Sequence, residues 1–268
     1  MKVKEVIETI KTACGSPKLE KTCDLLISGG WDDEVNGIVT TFMATVDVIK
    51  KTIDQGANMI ITHEPTYFTS WEMENTDWMQ EDEVYQQKKE LIEENDIIIW
   101  RFHDHMHMHD PDLIFVGMEK ELGWEDYKIP DTMHCYQIPK TTVSDLTQSM
   151  SEKLGVSTPR IVGNPEDKVE RLALLVGGGS LGLGREEMPM ELMREAELDT
   201  IVCGEILEWT LCAYARDASQ LGFNKSLIIL GHNRTEEAGM KYLPDWLSQL
   251  LPDIPITFIE SGEPFKLG

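Results

Sequence analysis

The sequence predicts an α/β protein of two similar α/β lobes with mixed or mostly parallel sheets and a metal site assembled from the whole chain. Three observations carry this reading. Apolar, β-branched runs alternate with amphipathic helical stretches in both halves, the pattern of βαβ units. Three of those runs lead into histidine: Ile60-Ile61-Thr62 into His63-Glu64, Ile97-Ile98-Ile99-Trp100 into His103, and Ile228-Ile229-Leu230 into His232. Four of the seven histidines fall at alternate positions in one run, His103-Asp104-His105-Met106-His107-Met108-His109. Ligands of open α/β sheets bind at the carboxyl ends of strands, and imidazole is the commonest protein metal ligand.

The elements follow in order. The segment MKVKEVIETIKTACG reads as an amphipathic helix and lacks the continuous apolar core of a signal peptide. Residues 35–43 (VNGIVTTFM) read as a strand. Thr45 is placed to cap a helix over 46–55, where Val48, Ile49 and Ile53 make an apolar stripe and Gly56 is the stop. Residues 58–62 are the next strand, and the strand–helix–strand unit implies parallel pairing. Residues 81–95 form a surface helix, and the strand 97–102 delivers His103. After a less regular stretch, 133–136 is expected as a strand and 142–154 as a helix capped near Thr142 or Ser144. Pro159 and Gly163-Asn164-Pro165 are breakers. The second half repeats the grammar: strand 171–176, helix 185–197, strand 199–203 into Gly204-Glu205, helix 210–221, and strand 226–230 into His232. We therefore divide the chain into an N-terminal lobe, 1–126, and a C-terminal lobe, 127–268.

Bulk properties narrow the function. With 268 residues, 41% hydrophobic and 27% charged, the chain can bury a full core. A net charge of −24 argues against nucleic acid, whose binding needs Lys and Arg on phosphates, and against anionic membranes. No run reaches the ~20 apolar residues of a membrane span. Cys14, Cys23, Cys135, Cys203 and Cys212 are an odd, scattered set without a Cys-x-x-Cys, which fits a reduced cytoplasmic protein.

The histidines fix the expected chemistry. If the strand continues past Phe102, His103, His105, His107 and His109 face one side; in a helical turn, His103 and His107 share a face instead. His232 and Glu236 stand four apart where a strand turns into a helix, a spacing that also suits capping by Asn233 with Glu236 reaching back. Imidazole with carboxylate and no thiolate pair suits Zn, Fe or Mn. The candidate ligands outnumber the needs of one tetrahedral ion, so two divalent ions bridged by a carboxylate are expected, activating water for a hydrolytic reaction. Asp104, His105 and Glu205 are the candidate catalytic or proton-transfer residues. The competing signal is Gly177-Gly178-Gly179-Ser180-Leu181-Gly182, a G-x-G-x-x-G after a strand with Glu205 beyond it, which fits a nucleotide turn.

At these residues the chain resembles the NIF-three-like dinuclear metal-centre proteins, also called GTP cyclohydrolase type 2-like. The motifs stand here as Ile60-Ile61-Thr62-His63-Glu64-Pro65, His103-Asp104-His105-Met106-His107, Cys203-Gly204-Glu205 and Gly231-His232-Asn233-Arg234-Thr235-Glu236, in the family's order. The resemblance implies a dinuclear metal site between the lobes, a toroidal homohexamer, a small-molecule substrate such as a nucleotide, and His63, Glu64, His103, His107, His232 and Glu236 as metal ligands. Glu64 stands where the family carries a second histidine, and His107 where it carries aspartate. Glu208-Trp209 replaces the histidine that follows T-G-E. The expected function is that of a dinuclear metal-dependent hydrolase, with a non-enzymatic metal-binding or regulatory hexamer as the alternative.

Overall fold

The computed structural model describes residues 1–15, 19–72, 74 and 76–266. The first half runs through α1 (Val3–Ala13), β1 (Leu26–Ser28), β2 (Ile38–Thr41), α2 (Val46–Asp54), β3 (Met59–Thr62), α3 (Glu83–Glu93), β4 (Ile98–Arg101), α4 (Asp104–Met108) and α5 (Leu113–Leu122). The second continues with β5 (Cys135–Thr142), α6 (Val143–Leu154), β6 (Arg160–Val162), β7 (Lys168–Leu175), α7 (Met188–Glu195), β8 (Thr200–Cys203), α8 (Leu211–Gln220), β9 (Ser226–Ile229), α9 (His232–Leu250) and β10 (Ile256–Phe258). Packing divides the chain into two compact units: Met1–Gly117 with Gly239–Ser261, and Met118–Ala238 with the segment from Gly262. A contiguous cut at 126/127 does not contain the return of 239–261 to the first unit.

Each unit holds a five-stranded sheet flanked by helices, the α/β class the sequence predicts. The first sheet has the order β1-β4-β3-β2-β10, with β4, β3, β2 and β10 parallel and β1 antiparallel at its edge. All four residues of β2, β3 and β4 are buried. Parallel strands covered on both faces favour unbroken apolar runs, which is why 59–61 and 97–100 read as continuous rather than alternating. The second sheet has the order β5-β7-β8-β9-β6, parallel through β7, β8 and β9 and antiparallel at both edges.

Local chemistry sets the helix starts. Thr45 accepts from Val48 N (3.2 Å) at α2, Asp82 from Tyr85 N (2.9 Å) at α3, and Thr142 from Asp145 N (3.0 Å) at α6. Each such cap is worth ~1 kcal/mol. One face of α2 buries Val48 and Ile49 with Ile60, Ile92 and Ile99 in the first core. In the second unit, Met193, Leu211 and Ala215 pack on Ala173, Ile201 and Leu227. Among the described residues, no helix is long and apolar enough to cross a membrane.

Candidate metal centre

The first unit brings three histidines together. β3 and β4 pair in parallel with Thr62 opposite Arg101, so His63 and the Phe102-His103 step leave the sheet side by side. The chain then turns into α4 instead of continuing as a strand. Helical spacing puts His103 and His107 on one face and turns His105 and His109 elsewhere. The His63 and His103 rings stack at 4.5 Å, while His107 meets His63 edge-on at 5.0 Å and His103 at 4.8 Å. Each offers a ligand atom, all three within 4.8 Å of one another.

The opposite ring nitrogens show how these imidazoles are held. His63 Nδ1 lies 3.2 Å from the Phe102 carbonyl, His103 Nδ1 3.0 Å from Asp104 Oδ1, and His107 Nδ1 2.9 Å from Asp112 Oδ2. Each oxygen can only accept, so each Nδ1 is the donor, which makes Nε2 the nitrogen that would ligate a metal. A metal-ligating histidine is typically oriented in this way. Asp104 is held in turn by the Thr22 hydroxyl (2.8 Å), Cys23 N (3.0 Å) and Cys23 Sγ (3.3 Å). The His103 ring, with those donors from Thr22 and Cys23, holds the Asp104 carboxyl well below the usual carboxylate range. Burial pushes the Cys23 thiol up to about 12, so it stays a donor at neutral pH.

His105 sits apart from the trio. Its Nδ1 lies 2.6 Å from Asp24 Oδ2, and Asp24 also accepts from the backbone N–H groups of His103 (2.8 Å), Asp104 (2.7 Å) and His105 (3.0 Å). The buried Asp24 therefore holds both the start of α4 and the His105 ring. Asp24→Ala is expected to lower unfolding stability by roughly 3–5 kcal/mol, because it removes one partner of a buried pair and strands three N–H groups. Urea unfolding of wild type and variant measures it; a change below about 1 kcal/mol, the scale of a simple helix cap, would show that Asp24 does not organise this turn.

Glu64 is positioned by Arg101, whose Nη2 lies 2.9 Å from Glu64 Oε2 and whose Nε donates to the His63 carbonyl (3.1 Å). Pro65 restricts Glu64 to extended backbone. Glu64 Oε1 lies 3.9 Å from His103 Nε2. His109, at the end of the run, bonds the Pro111 carbonyl (2.6 Å) and meets the Trp246 ring at 5.5 Å.

The second unit has its own cluster. β7, β8 and β9 are in register, Leu175 opposite Cys203 and Cys203 opposite Ile229, so Gly177, Gly204-Glu205 and His232 all follow carboxyl ends. His232 Nδ1 lies 3.1 Å from Glu205 Oε1, and His232 Nε2 lies 3.0 Å from Glu236 Oε2. Two donors on one ion at about 2.1 Å sit about 3.0–3.4 Å apart, so this separation suits joint ligation. Glu236 thus faces His232, one turn away on α9, where the capping alternative has it reaching back to Asn233.

The glycine turn serves this pair. Gly177 has φ +51°, and a Cβ there would overlap Glu236 Oε1 and lie 2.8 Å from His232 Nε2. Its N–H donates to Thr235 Oγ1 (2.9 Å), one residue before Glu236. A Cβ on Gly204 would lie 2.5 Å from the Gly177 carbonyl and 2.8 Å from Thr235 Oγ1. The first glycine of the G-x-G-x-x-G thus makes room for a carboxylate and an imidazole.

Both donor sets, imidazoles and carboxylates without a thiolate pair, fit a Zn, Fe or Mn ion. The supporting residues Asp24, Thr22, Cys23, Asp112 and Arg101 were not singled out from sequence. Only Asp112, five residues beyond His107, carries a local signal. Asp24 lies some 80 residues before the turn it holds and carries none.

Comparison with known proteins follows this geometry. A family model described as Duf34/NIF3 (NGG1p interacting factor 3) matches residues 1–264. A Vibrio cholerae protein named GTP cyclohydrolase 1 type 2 homolog is 26% identical over 243 residues, 86% of each chain. A Bacillus cereus protein related to NIF3 superposes with a TM-score of 0.76 at 16% identity, over 100% of this chain and 99% of that one. Staphylococcus aureus protein SA1388 superposes at 0.75 with 18% identity and the same coverage. At those identities the structures establish the shared fold.

Proposed function

We propose a function from the premise that this chain belongs to the Duf34/NIF3 family: it is a metal-dependent hydrolase acting on a small molecule, and His63, Glu64, His103, His107, His232 and Glu236 are its ligands for two divalent ions. One observation carries the reading: every histidine of the first cluster has its Nδ1 engaged by an oxygen, and the three offer ligand atoms within 4.8 Å of one another. The name of the Vibrio cholerae relative supports a hydrolytic, nucleotide-directed reaction. Bound ions would acidify a water and polarise the bond under attack.

The chain's own residues do the rest. Asp104 and Asp112 hold His103 and His107 in the ligating tautomer and raise their basicity. Glu205 orients His232 and, with its side chain 51% exposed, is the carboxylate we assign to proton transfer. His105, tied to Asp24, keeps the α4 turn in place. The assembly we propose is a homohexamer.

Metal content of untagged protein purified anaerobically tests the reading. About two equivalents per chain are expected, together with hydrolysis of a phosphoester, nucleotide or cyclic amide that chelation stops and metal restores. Stoichiometric metal with no turnover across such a panel would leave a metal-binding regulatory protein. No stoichiometric metal would reject the proposal.

A further inference from the structure

The segment after the first ligand pair, Thr66-Tyr67-Phe68-Thr69-Ser70-Trp71-Glu72, is held by three buried charged side chains. Lys88 Nζ donates to the Thr66 carbonyl (2.6 Å), and Glu72 Oε2 accepts from Tyr67 N (2.7 Å). Arg101 Nη1 donates to the Ser70 carbonyl (2.7 Å), while the same guanidinium binds Glu64 Oε2 and the His63 carbonyl. Lys88, Glu72 and Arg101 are 6%, 2% and 4% exposed. One arginine therefore fixes both a candidate metal-binding pair and this segment. Phe68, four residues after Glu64, lies at most about 14 Å from it along the chain.

On this anchored segment two aromatic rings face solvent. Phe68 is 56% exposed and Trp71 is 40% exposed. Phe68 also has φ +47°, a left-handed conformation that a bulky side chain rarely adopts. Such conformations persist where surrounding structure enforces them, and they cluster at ligand clamps. Burial could have repaid the strain, yet the ring stays in water. A cation attends each ring: Lys21 Nζ lies 4.0 Å from the Trp71 centroid and Lys88 Nζ 5.5 Å from that of Phe68. Burial pushes the Lys88 ammonium down to about 8, so it remains mainly charged at neutral pH. Lys88 is buried against the Thr66 carbonyl and the Glu72 carboxyl, so in a chain of net charge −24 it is the exposed Lys21 beside Trp71 that offers a positive charge to an anion.

We propose that Phe68 and Trp71 form a stacking platform that selects substrates with a planar, unsaturated ring bearing an anionic group. The proposal rests on the metal-hydrolase reading for its reaction and names the substrate class of that site. Ring stacking supplies the selectivity, since every planar ring offers a π-face and a saturated ring does not. Lys21 complements the anion.

The test compares phenylphosphonate with cyclohexylphosphonate, anions of similar size that no hydrolase cleaves, by calorimetric titration of the full-length chain with and without metal. Wild type is expected to bind the phenyl compound roughly tenfold more tightly. Phe68→Gly and Trp71→Ala should each cut that ratio to about threefold or less with bound metal unchanged. Phe68→Gly should also hold or raise Tm, since glycine removes the strained conformation; a ring with only a structural role would lower it. Equal affinities in wild type, or ratios untouched in both variants, overturn the platform. A change in oligomeric mass with the ratio untouched also overturns it and makes the rings a contact between copies. Absent metal with the ratio intact rejects the hydrolase and leaves the platform standing; absent metal with no ratio rejects both.

Discussion

Alanine at His63 is expected to remove at least one of the about two metal equivalents proposed for the wild type while the protein stays folded. His63 is fully buried at the end of β3, its Nδ1 is committed to the Phe102 carbonyl, and its ring contacts both His103 and His107. Losing it leaves two imidazoles, and no third nitrogen replaces it from α4, because His105 is tied to Asp24. Asp104→Asn gives the graded comparison. An amide can donate to His103 Nδ1, where the carboxylate could only accept, so the ring can turn its lone pair inward; affinity should fall about 10–100-fold without loss of the ligand. Elemental analysis and competition with a chelator read both effects. Full loading in His63→Ala would show that the histidine cluster holds no ion. An Asp104→Asn protein indistinguishable from wild type would show that the hydrogen bond to His103 does not set its tautomer.

The sequence made the strands and the helices around them legible because their signals are local. Residues 59–61 and 97–100 are continuous apolar runs that lead toward His63 and His103, and Thr45 and Thr142 each cap the helix expected after it. What it left open depends on distant partners. The histidine run suits a strand or a helical turn by spacing alone; Asp24, far upstream, receives three N–H groups and selects the turn. β10 pairs with β2 through Ile256 and Ile38, a match between opposite ends of the chain that no window of periodicity contains. Contiguous lobes are the natural reading of a repeated grammar, and the return of 239–261 to the first unit lies outside it. The site shows the same division. Its histidines and Glu236 stand out by type and position, while the carboxylates that orient them are ordinary acidic residues among 48, identifiable only once the fold sets them against Nδ1.

Gly177→Ala should uncouple the second cluster, and its neighbours in the same turn supply the controls. An alanine methyl at Gly177 would overlap Glu236 Oε1, lie 2.7 Å from the carboxylate carbon and come within 2.8 Å of His232 Nε2. The methyl is fixed to the backbone, so the carboxylate has to turn away, and the φ of +51° adds about 1–3 kcal/mol of conformational strain. A lower unfolding midpoint and loss of the metal that depends on His232 are therefore expected together. A Cβ at Gly178 meets nothing within 4 Å, and one at Gly179 meets only Leu175 Cβ at an ordinary 3.7 Å. Gly178→Ala and Gly179→Ala should thus keep both stability and metal. The two explanations of the glycine-rich turn separate here. If its glycines let a pyrophosphate approach the backbone, Gly179 is needed as much as Gly177, and Gly179→Ala should abolish nucleotide affinity while metal stays bound. If the turn exists to seat His232 and Glu236, only the first glycine matters to the metal. Normal loading in Gly177→Ala would contradict that assignment directly, because the methyl and the ligating carboxylate cannot occupy the same space.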